Sequence, residues 1–318
     1  MTPRFSRRKA LQLMGGLSLG AWTAPVALRA FAATPPGSFE VEATMNTRLI
    51  PSSGERLPVV GLGSWIQFDV GTAEAERQPL REVLQRMVDQ GGTVIDSSPM
   101  YGKSEAVIGD LTTELGRADR FFYATKVWTT GQQAGIAQME ESFRKMQRQT
   151  MDLMQIHNLV DWQTHLKTLR DWKAAGKIRY LGITHYTTSA FPQLERILTS
   201  ESIDFVQLPY SIRVRAAEQR LLSAAKDRGV AVLVNEPYES GSLFRAVKGK
   251  PLPDWAGDYD IASWGQFFLK FILSHPAVTC VIPGTSDPAH LVDNMGAGYG
   301  TLPDEAGHHR MAAYVAKL

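Results

Sequence analysis

Four side chains that can exchange protons stand near the ends of separate apolar segments of this chain. Asp96 and Tyr101 fall in TVIDSSPMYG, Lys126 falls in FFYATKV, and His157 falls in MDLMQIHN. A carboxylate, a phenol, an amine and an imidazole can together donate and accept protons, and this set includes neither a thiol nor the spacing of a metal site. The sequence therefore predicts an acid–base centre, provided that the fold brings these segments together.

Tyr101 is the candidate general acid of this set. A free phenol has a pKa of about 10, which is too high for efficient proton donation at neutral pH. The ammonium of Lys126 would stabilise the phenolate and lower the pKa of Tyr101, and Asp96 would keep Lys126 charged and oriented. His157 would hydrogen-bond the substrate oxygen or the Tyr101 hydroxyl. Each residue alone is more often structural, so the prediction depends on all four being neighbours.

Eight apolar segments with the length of β-strands alternate with segments of helical periodicity. The predicted strands are Val59–Gly63, Thr93–Asp96, Phe121–Val127, Met151–His157, Ile178–Thr184, Phe205–Tyr210, Val230–Glu236 and Val278–Pro283. The first helical pattern covers residues 80–88 and ends at Gly91-Gly92. This alternation predicts an α/β fold, a (β/α)8 TIM barrel, in which the carboxyl ends of the strands meet on one face. A small hairpin of residues 48–50 and 56–58 would precede it.

The order of the four residues and the Asp-x-x-x-x-Tyr spacing resemble the catalytic tetrad of the aldo-keto reductases. Val60-Gly61-Leu62-Gly63-Ser64-Trp65 is similar to the first-strand motif of that family, and residues 176–183 are similar to the stretch that leads into its fifth strand. The resemblance covers almost all of residues 47–318. It implies direct hydride transfer from a reduced nicotinamide to a small-molecule aldehyde or ketone, with Tyr101 as the general acid.

The resemblance also implies a set of cofactor-binding positions. They are Gly63, Ser64, Thr184, His185, Gln207, Asn235, Pro237, Tyr238, Ser240, Gly241, Gly284, Thr285 and Asn294. The first two would lie beside the nicotinamide, residues 184, 185 and 207 would hold its carboxamide, the loop after the seventh strand would wrap the pyrophosphate, and residues 284–294 would hold the adenine end. Trp65 would form a wall of the substrate pocket. Residues 237–261 form a long connection, which predicts a loop that covers the cofactor or faces the substrate.

Three parts of the sequence depart from the family pattern. Thr184-His185 stands where a Ser-Asn pair is usual, and Asn235 stands where many members place an aromatic ring against the nicotinamide. Residues 284–290 contain neither Lys nor Arg. Because a phosphate group normally recruits one of these side chains, the sequence leaves both NAD and NADP open as cofactors.

Residues 1–32 have the features of a targeting segment. Arg7-Arg8 precedes a mainly apolar run over residues 10–28, and Ala30-Phe31-Ala32 supplies small residues for cleavage. The paired arginines resemble a twin-arginine export signal, which implies the twin-arginine machinery as a partner and a periplasmic or otherwise exported protein. An uncleaved membrane anchor is the alternative, but glycines interrupt the run, and a stable span needs about 20 predominantly apolar residues. Residues 33–46 would be a linker and residues 47–318 the barrel.

Removal of the first 32 residues would change the charge of the chain. The full chain has a formal net charge of +2 from 34 basic and 32 acidic residues, and five of the basic residues lie in the predicted signal. The remaining 286 residues would carry 29 basic and 32 acidic residues, a net charge of −3. The sequence shows no cluster of basic residues of the kind that would indicate a nucleic-acid partner. The single cysteine, Cys280, lies in an apolar run and is predicted to be a buried hydrophobic residue.

Two other function classes stay open at the level of sequence. A nicotinamide-binding barrel would serve as a redox sensor or partner subunit with little turnover if reduced cofactor is scarce outside the cytoplasm. A metal-dependent hydrolase would use Asp96, His157 and His185, but the first strand lacks a His-x-His pair, so we predict no metal.

Overall fold

The computed structural model describes residues 44–318. The predicted export signal, residues 1–32, and residues 33–43 of the predicted linker lie outside the described residues. Two residues that precede the first strand make contacts with the rest of the chain. Met45 is buried, and the backbone N–H of Asn46 donates to Gly298 O at 2.7 Å. The last residues of the predicted linker, Met45 and Asn46, are thus packed against the rest of the described chain.

A two-stranded antiparallel hairpin precedes the barrel, as the sequence predicts. Its strands are β1 (Thr47–Leu49) and β2 (Arg56–Pro58). Ile50 and Leu57 are buried, and they pack in the same apolar cluster as barrel residues such as Leu153. The hairpin therefore covers the end of the barrel interior that lies opposite the carboxyl ends of the strands.

All eight predicted barrel strands are present. They are β3 (Leu62–Gly63), β4 (Val94–Asp96), β5 (Phe122–Val127), β6 (Met151–His157), β7 (Ile178–Thr184), β8 (Phe205–Pro209), β9 (Ala231–Asn235) and β10 (Cys280–Val281). They pair in chain order, and each pair is parallel. Single parallel bridges, Val60–Val281 and Gly63–Gly284, join the first strand to the last. The sheet thus closes into a (β/α)8 barrel.

The two strands that close the barrel are shorter than the sequence predicts. β3 covers only the end of the predicted segment Val59–Gly63, and β10 covers only the middle of Val278–Pro283. The two backbones approach closely here, because a Cβ atom on Gly63 would lie 2.8 Å from Ile282 O. Glycine permits that approach. The closure consists of isolated bridges rather than a continuous ladder.

Helices surround the barrel. They are α1 (Glu74–Asp89), α2 (Ser104–Glu114), α3 (Gln132–Lys145), α4 (Trp162–Ala174), α5 (Phe191–Ser200), α6 (Leu221–Asp227), α7 (Ser242–Ala246), α8 (Trp264–Ser274), α9 (Pro288–Gly296) and α10 (Glu305–Val315). The apolar residues of α1 are buried at the predicted helical spacing over residues 80–88. Within residues 44–318, no helix is both long enough and apolar enough to cross a membrane.

The alternation of side chains along each strand decides which residues face the barrel interior. In β5, Phe122 and Ala124 belong to the interior cluster, so Lys126 faces the interior at the next position of the same parity. In β6, Leu153 belongs to that cluster, and the same parity places His157 on the inner face. Polar side chains therefore replace apolar ones at the carboxyl end of the barrel interior.

The long connection of residues 237–261 is a folded segment. It contains α7 and a short 3-10 helix, Asp254–Tyr259. Trp255 and Trp264 pack against Phe267, with ring centroids 5.8 and 5.1 Å apart. These two tryptophans therefore belong to the outer helical layer.

Candidate active site

Asp96, Lys126 and His157 converge at the carboxyl end of the barrel. Asp96 is the last residue of β4, Lys126 is the penultimate residue of β5, and His157 is the last residue of β6. All three are buried. Tyr101 lies in the turn after β4, where its backbone N–H donates to Ser98 O at 3.0 Å. The structure thus brings together the four residues that the sequence singles out.

Lys126 and Asp96 form an ion pair that is closed to solvent. Lys126 Nζ lies 2.5 Å from Asp96 Oδ2 and donates a second hydrogen bond to Ser97 O at 2.6 Å. Burial alone would lower the pKa of Lys126, but Asp96 and Tyr101 outweigh burial and raise it above its ordinary value. Lys126 is therefore a fixed positive charge at neutral pH.

Two glutamine amides hold the other oxygen of Asp96. Gln155 Nε2 and Gln207 Nε2 both donate to Asp96 Oδ1 at 2.9 Å. The Gln207 Oε1 atom accepts from Thr184 Oγ1 at 3.1 Å and from Asn235 Nδ2 at 3.3 Å. The amide of Gln207, predicted from the resemblance to bind a cofactor carboxamide, is thus fully engaged with protein groups. Gln155 is absent from the sequence-based set, although its parity with His157 places it on the inner face.

The ring of Tyr101 lies over the buried ammonium. Lys126 Nζ is 5.0 Å from the centroid of the ring, and the ring of His157 meets it edge-on at 5.8 Å. Burial raises the pKa of Tyr101, and the opposing effect of Lys126 is smaller, so the pKa lies above 10.0. Lys126 therefore lowers the pKa of Tyr101, as the sequence predicts, but by less than burial raises it. The phenol is protonated at neutral pH.

His157 is a neutral imidazole in this site. Burial is the main cause, and with the positive charge of Lys126 it lowers the pKa of His157 to about 2. The Nδ1 atom lies 2.8 Å from Ser98 Oγ, and the ring of Trp128 lies 6.3 Å away between centroids. Ser98 and Trp128 are further neighbours that the sequence motifs do not reveal.

Two of the predicted cofactor-binding residues have a buried polar atom without a hydrogen-bond partner within residues 44–318. They are Ser64, through Oγ, and Asn235, through Oδ1. Both residues belong to the predicted nicotinamide-binding positions, and Gly63 precedes Ser64 at the end of β3. A carboxamide has two N–H donors and one carbonyl acceptor, so it can donate to Asn235 and accept from Ser64. The residues present therefore fit a nicotinamide carboxamide.

His185, which is predicted with Thr184 and Gln207 to hold the carboxamide, follows β7 and is partly buried. Its Nδ1 accepts from the backbone N–H of Thr187 at 3.1 Å, and its ring stacks on Tyr186 with centroids 5.5 Å apart. Burial lowers the pKa of His185 below its ordinary value. His185 is therefore a neutral group at the edge of the site.

The loop after β9 contains Pro237, Tyr238, Ser240 and Gly241, the predicted pyrophosphate positions. The Tyr238 hydroxyl donates to Asn294 Oδ1 at 2.6 Å, which links this loop to α9. Ser240 Oγ donates to Glu236 Oε2 at 3.1 Å. Gly241 has φ +81° where α7 begins, a conformation that glycine adopts without strain. Two predicted cofactor segments are thus connected directly.

The predicted adenine-end positions surround the start of α9. Gly284 is exposed, whereas Thr285 and Asn294 are buried. The side chain of Asp287 caps the helix and accepts from Ala289 N at 2.7 Å. An acidic residue therefore occupies this helix start, and residues 284–290 supply neither Lys nor Arg beside it.

Exposed apolar residues form a rim on the loops at the carboxyl end of the barrel. It consists of exposed residues in the segments that follow β3, β4, β5 and β7, namely Trp65, Ile66, Met100, Trp128 and Tyr186. Trp65, the predicted pocket wall, is 50% exposed. The rim offers apolar surface beside an otherwise polar centre.

The structure gives no support to a metal centre at this position. In the part of the chain that the structure describes, no group of three or more His, Cys, Asp or Glu residues is placed to hold a metal ion. The three candidate ligands have other partners: Asp96 contacts Lys126, His157 contacts Ser98, and His185 contacts Thr187.

Comparison with known proteins identifies a family and relatives that resemble this chain in sequence. The model of the Aldo/keto reductase family matches residues 59–308. The chain is 28% identical over 213 residues to aldo-keto reductase YhdN of Bacillus subtilis (strain 168), covering 62% of each protein. It is 26% identical over 259 residues to methylglyoxal reductase YeaE of Escherichia coli (strain K12), covering 79% of this chain and 89% of that relative. The matched part is therefore less than two thirds of YhdN but most of YeaE.

A solved structure has the same fold. It is the aldo/keto reductase of Klebsiella pneumoniae in complex with NADP and acetate, with a TM-score of 0.71 and 24% identity. The match covers 82% of this chain and 93% of that one. At this identity, the likeness establishes the barrel architecture.

Proposed function

The chain belongs to the aldo/keto reductase family, and we propose that it reduces an aldehyde or ketone to the alcohol at the site formed by Asp96, Tyr101, Lys126 and His157. The observation that carries this proposal is the buried Lys126–Asp96 pair beneath the ring of Tyr101. The relative YeaE is named a methylglyoxal reductase, which supports a small carbonyl compound as the substrate.

Tyr101 is the proposed general acid. Its raised pKa keeps the phenol protonated at neutral pH, which is the form that can donate. As the carbonyl oxygen gains negative charge, the Tyr101 hydroxyl transfers its proton to that oxygen. The phenolate that remains is stabilised by the Lys126 ammonium. Asp96 keeps Lys126 charged and in place.

His157 orients the carbonyl oxygen toward Tyr101. Its ring is neutral, so it offers one N–H donor without a competing charge. The rings of Trp65 and Trp128 provide the apolar surface against which the rest of the substrate packs. In this proposal the substrate oxygen lies between the imidazole and the phenol, whose rings are 5.8 Å apart between centroids.

A reduced nicotinamide is the proposed hydride donor, and both NADH and NADPH are candidates. When bound, it supplies a hydride to the carbonyl carbon. Ser64 and Asn235 would hold its carboxamide with their free polar atoms, and the loop of residues 237–241 and residues 284–294 would hold the rest. The Klebsiella structure contains NADP, whereas residues 284–290 of this chain lack the Lys or Arg that a 2′-phosphate usually recruits.

Steady-state oxidation of NADH and NADPH by purified residues 33–318 tests the proposal. A panel of aldehydes and ketones should accelerate oxidation of at least one cofactor through many turnovers per protein molecule. A single turnover would instead favour the alternative, a redox sensor or partner subunit that binds nicotinamide. If no carbonyl accelerates oxidation of either cofactor, the proposed function is wrong.

We also infer that residues 1–32 are a twin-arginine export signal and that the mature protein is periplasmic or otherwise exported. The support is the paired arginines Arg7-Arg8 before an apolar run. Cell fractionation of the full chain should find a shortened protein outside the cytoplasm. The variant with both arginines replaced by lysine should stay inside at full length, and equal export of both proteins would contradict this inference.

A further inference from the structure

Ser98 is a buried serine whose hydroxyl contacts the imidazole of His157. Ser98 Oγ lies 2.8 Å from His157 Nδ1, and the serine is fully buried. It stands two residues after Asp96, at the end of β4, while His157 ends β6. The contact therefore joins two strands that are not neighbours in the barrel.

A second neighbour of Ser98 Oγ decides the direction of this hydrogen bond. The backbone N–H of Met100 donates to Ser98 Oγ at 3.3 Å, so the oxygen accepts there. The hydroxyl proton then points to its remaining partner, His157 Nδ1. Were Nδ1 protonated instead, the buried hydroxyl would have no acceptor among its described neighbours, and an unsatisfied buried donor is unfavourable.

The neutral ring of His157 carries one proton, and the partner of one nitrogen decides which nitrogen holds it. With Nδ1 accepting from Ser98, the proton stands on Nε2. We propose that Ser98 is a positioning residue that fixes His157 in the Nε2–H tautomer, so that His157 donates a hydrogen bond to the carbonyl oxygen of the substrate. The hydrogen bond to the substrate rests on the proposed reductase function, whereas the tautomer assignment does not.

Ser98 also positions the proposed acid. Its backbone carbonyl accepts from the N–H of Tyr101 at 3.0 Å, while its hydroxyl holds His157. Ser98 therefore holds the turn that carries Tyr101, and it also determines which nitrogen of the His157 ring carries the proton. Both groups are proposed to act on the same carbonyl oxygen.

The tautomer can be measured directly by NMR on protein labelled with 15N-histidine. Long-range proton–nitrogen correlation spectra distinguish a protonated ring nitrogen from an unprotonated one, and His157→Gln identifies the signals of His157. In the unsubstituted protein, Nε2 should be protonated and Nδ1 unprotonated. Ser98→Ala should shift the ring to a mixture of tautomers or to Nδ1–H.

Ser97→Ala is the matched control for this measurement. Ser97 is also fully buried, and its hydroxyl has no hydrogen-bond partner among the described residues, while its backbone carbonyl is retained in alanine. The His157 spectrum should be unchanged in this variant. A protonated Nδ1 in the unsubstituted protein would overturn the inference. So would a His157 spectrum that is the same in Ser98→Ala as in the unsubstituted protein.

Kinetics then test the consequence for the reaction. Ser98→Ala should lower kcat by about tenfold, equivalent to ~1.4 kcal/mol, while the Kd for the cofactor stays unchanged. Ser98→Thr, which retains a hydroxyl, should recover both the spectrum and most of kcat. Unchanged kcat in Ser98→Ala would overturn the positioning role. If the unsubstituted protein reduces no carbonyl but shows the expected tautomer, the reductase function fails and the tautomer assignment stands.

Discussion

Lys126 Nζ lies 2.5 Å from Asp96 Oδ2 in the barrel interior, where the two side chains are 0% and 4% exposed. The second oxygen of Asp96 accepts from the amides of Gln155 and Gln207. This full set of partners keeps a positive charge in a fixed position beneath Tyr101, and it links three barrel strands besides β4, which carries Asp96.

Replacing Asp96 by asparagine should destabilise the protein strongly. The substitution leaves the ammonium of Lys126 buried without a counter-charge, and breaking a buried pair in this way typically costs about 3–5 kcal/mol. Urea unfolding of both proteins measures the difference. Asp110→Asn, which removes a partly exposed ion pair with Arg77, is the control and should cost about 0–1 kcal/mol. Equal losses in the two variants would contradict the importance of the buried pair.

The rate of carbonyl reduction should change little across neutral pH. Reduction requires protonated Tyr101, whose pKa is raised above 10.0, so activity should be lost only as the pH rises beyond that value. His157 has a pKa of about 2, so it stays neutral and should add no change near its ordinary value of 6.5. The pH profile of kcat tests both points, with circular dichroism to exclude unfolding. A fall in kcat as the pH is lowered through about 6.5 would show that His157 titrates in the working enzyme.

Affinity for the two cofactors should differ little in this chain. Residues 284–290 offer no Lys or Arg, so the dissociation constants of NADH and NADPH should agree within about tenfold, or ~1.4 kcal/mol. Ser286→Arg should strengthen NADPH binding selectively, because an Arg fork can bind the 2′-phosphate. Fluorescence titration measures both constants, and Ser286→Ala is the control. A strong NADPH preference in the unsubstituted protein would mean that another segment binds the phosphate.

Local patterns in the sequence predict the barrel and the position of its polar end. The strands β6 and β7 have the predicted bounds, because each is a mainly apolar segment that ends at a polar residue, His157 or Thr184. The period of two along a strand then places Lys126 on the inner face. The sequence predicts the two closing strands as longer than they are, because pairing between β3 and β10 depends on close backbone contacts that no local pattern contains.

Contacts between distant segments could not be predicted in the same way. Ser98 and His157 are 59 residues apart, and no motif connects them. The family resemblance predicts that Gln207 binds the cofactor, but no sequence pattern predicts that its amide also donates to Asp96, 111 residues away. The sequence predicts a lowered pKa for Tyr101, because only the charge of Lys126 can be inferred from it. Burial, which raises this pKa and is the larger effect, is a property of the folded chain.

Replacement of Tyr101 by phenylalanine tests the central claim most directly. The variant removes the proposed proton donor and keeps the ring that packs between Lys126 and His157. Cofactor affinity should change by less than about tenfold, while kcat for carbonyl reduction should fall by at least about 100-fold, the usual contribution of a general acid. Reduction at the rate of the unsubstituted protein, with cofactor binding intact, would contradict the assignment of Tyr101 as the acid.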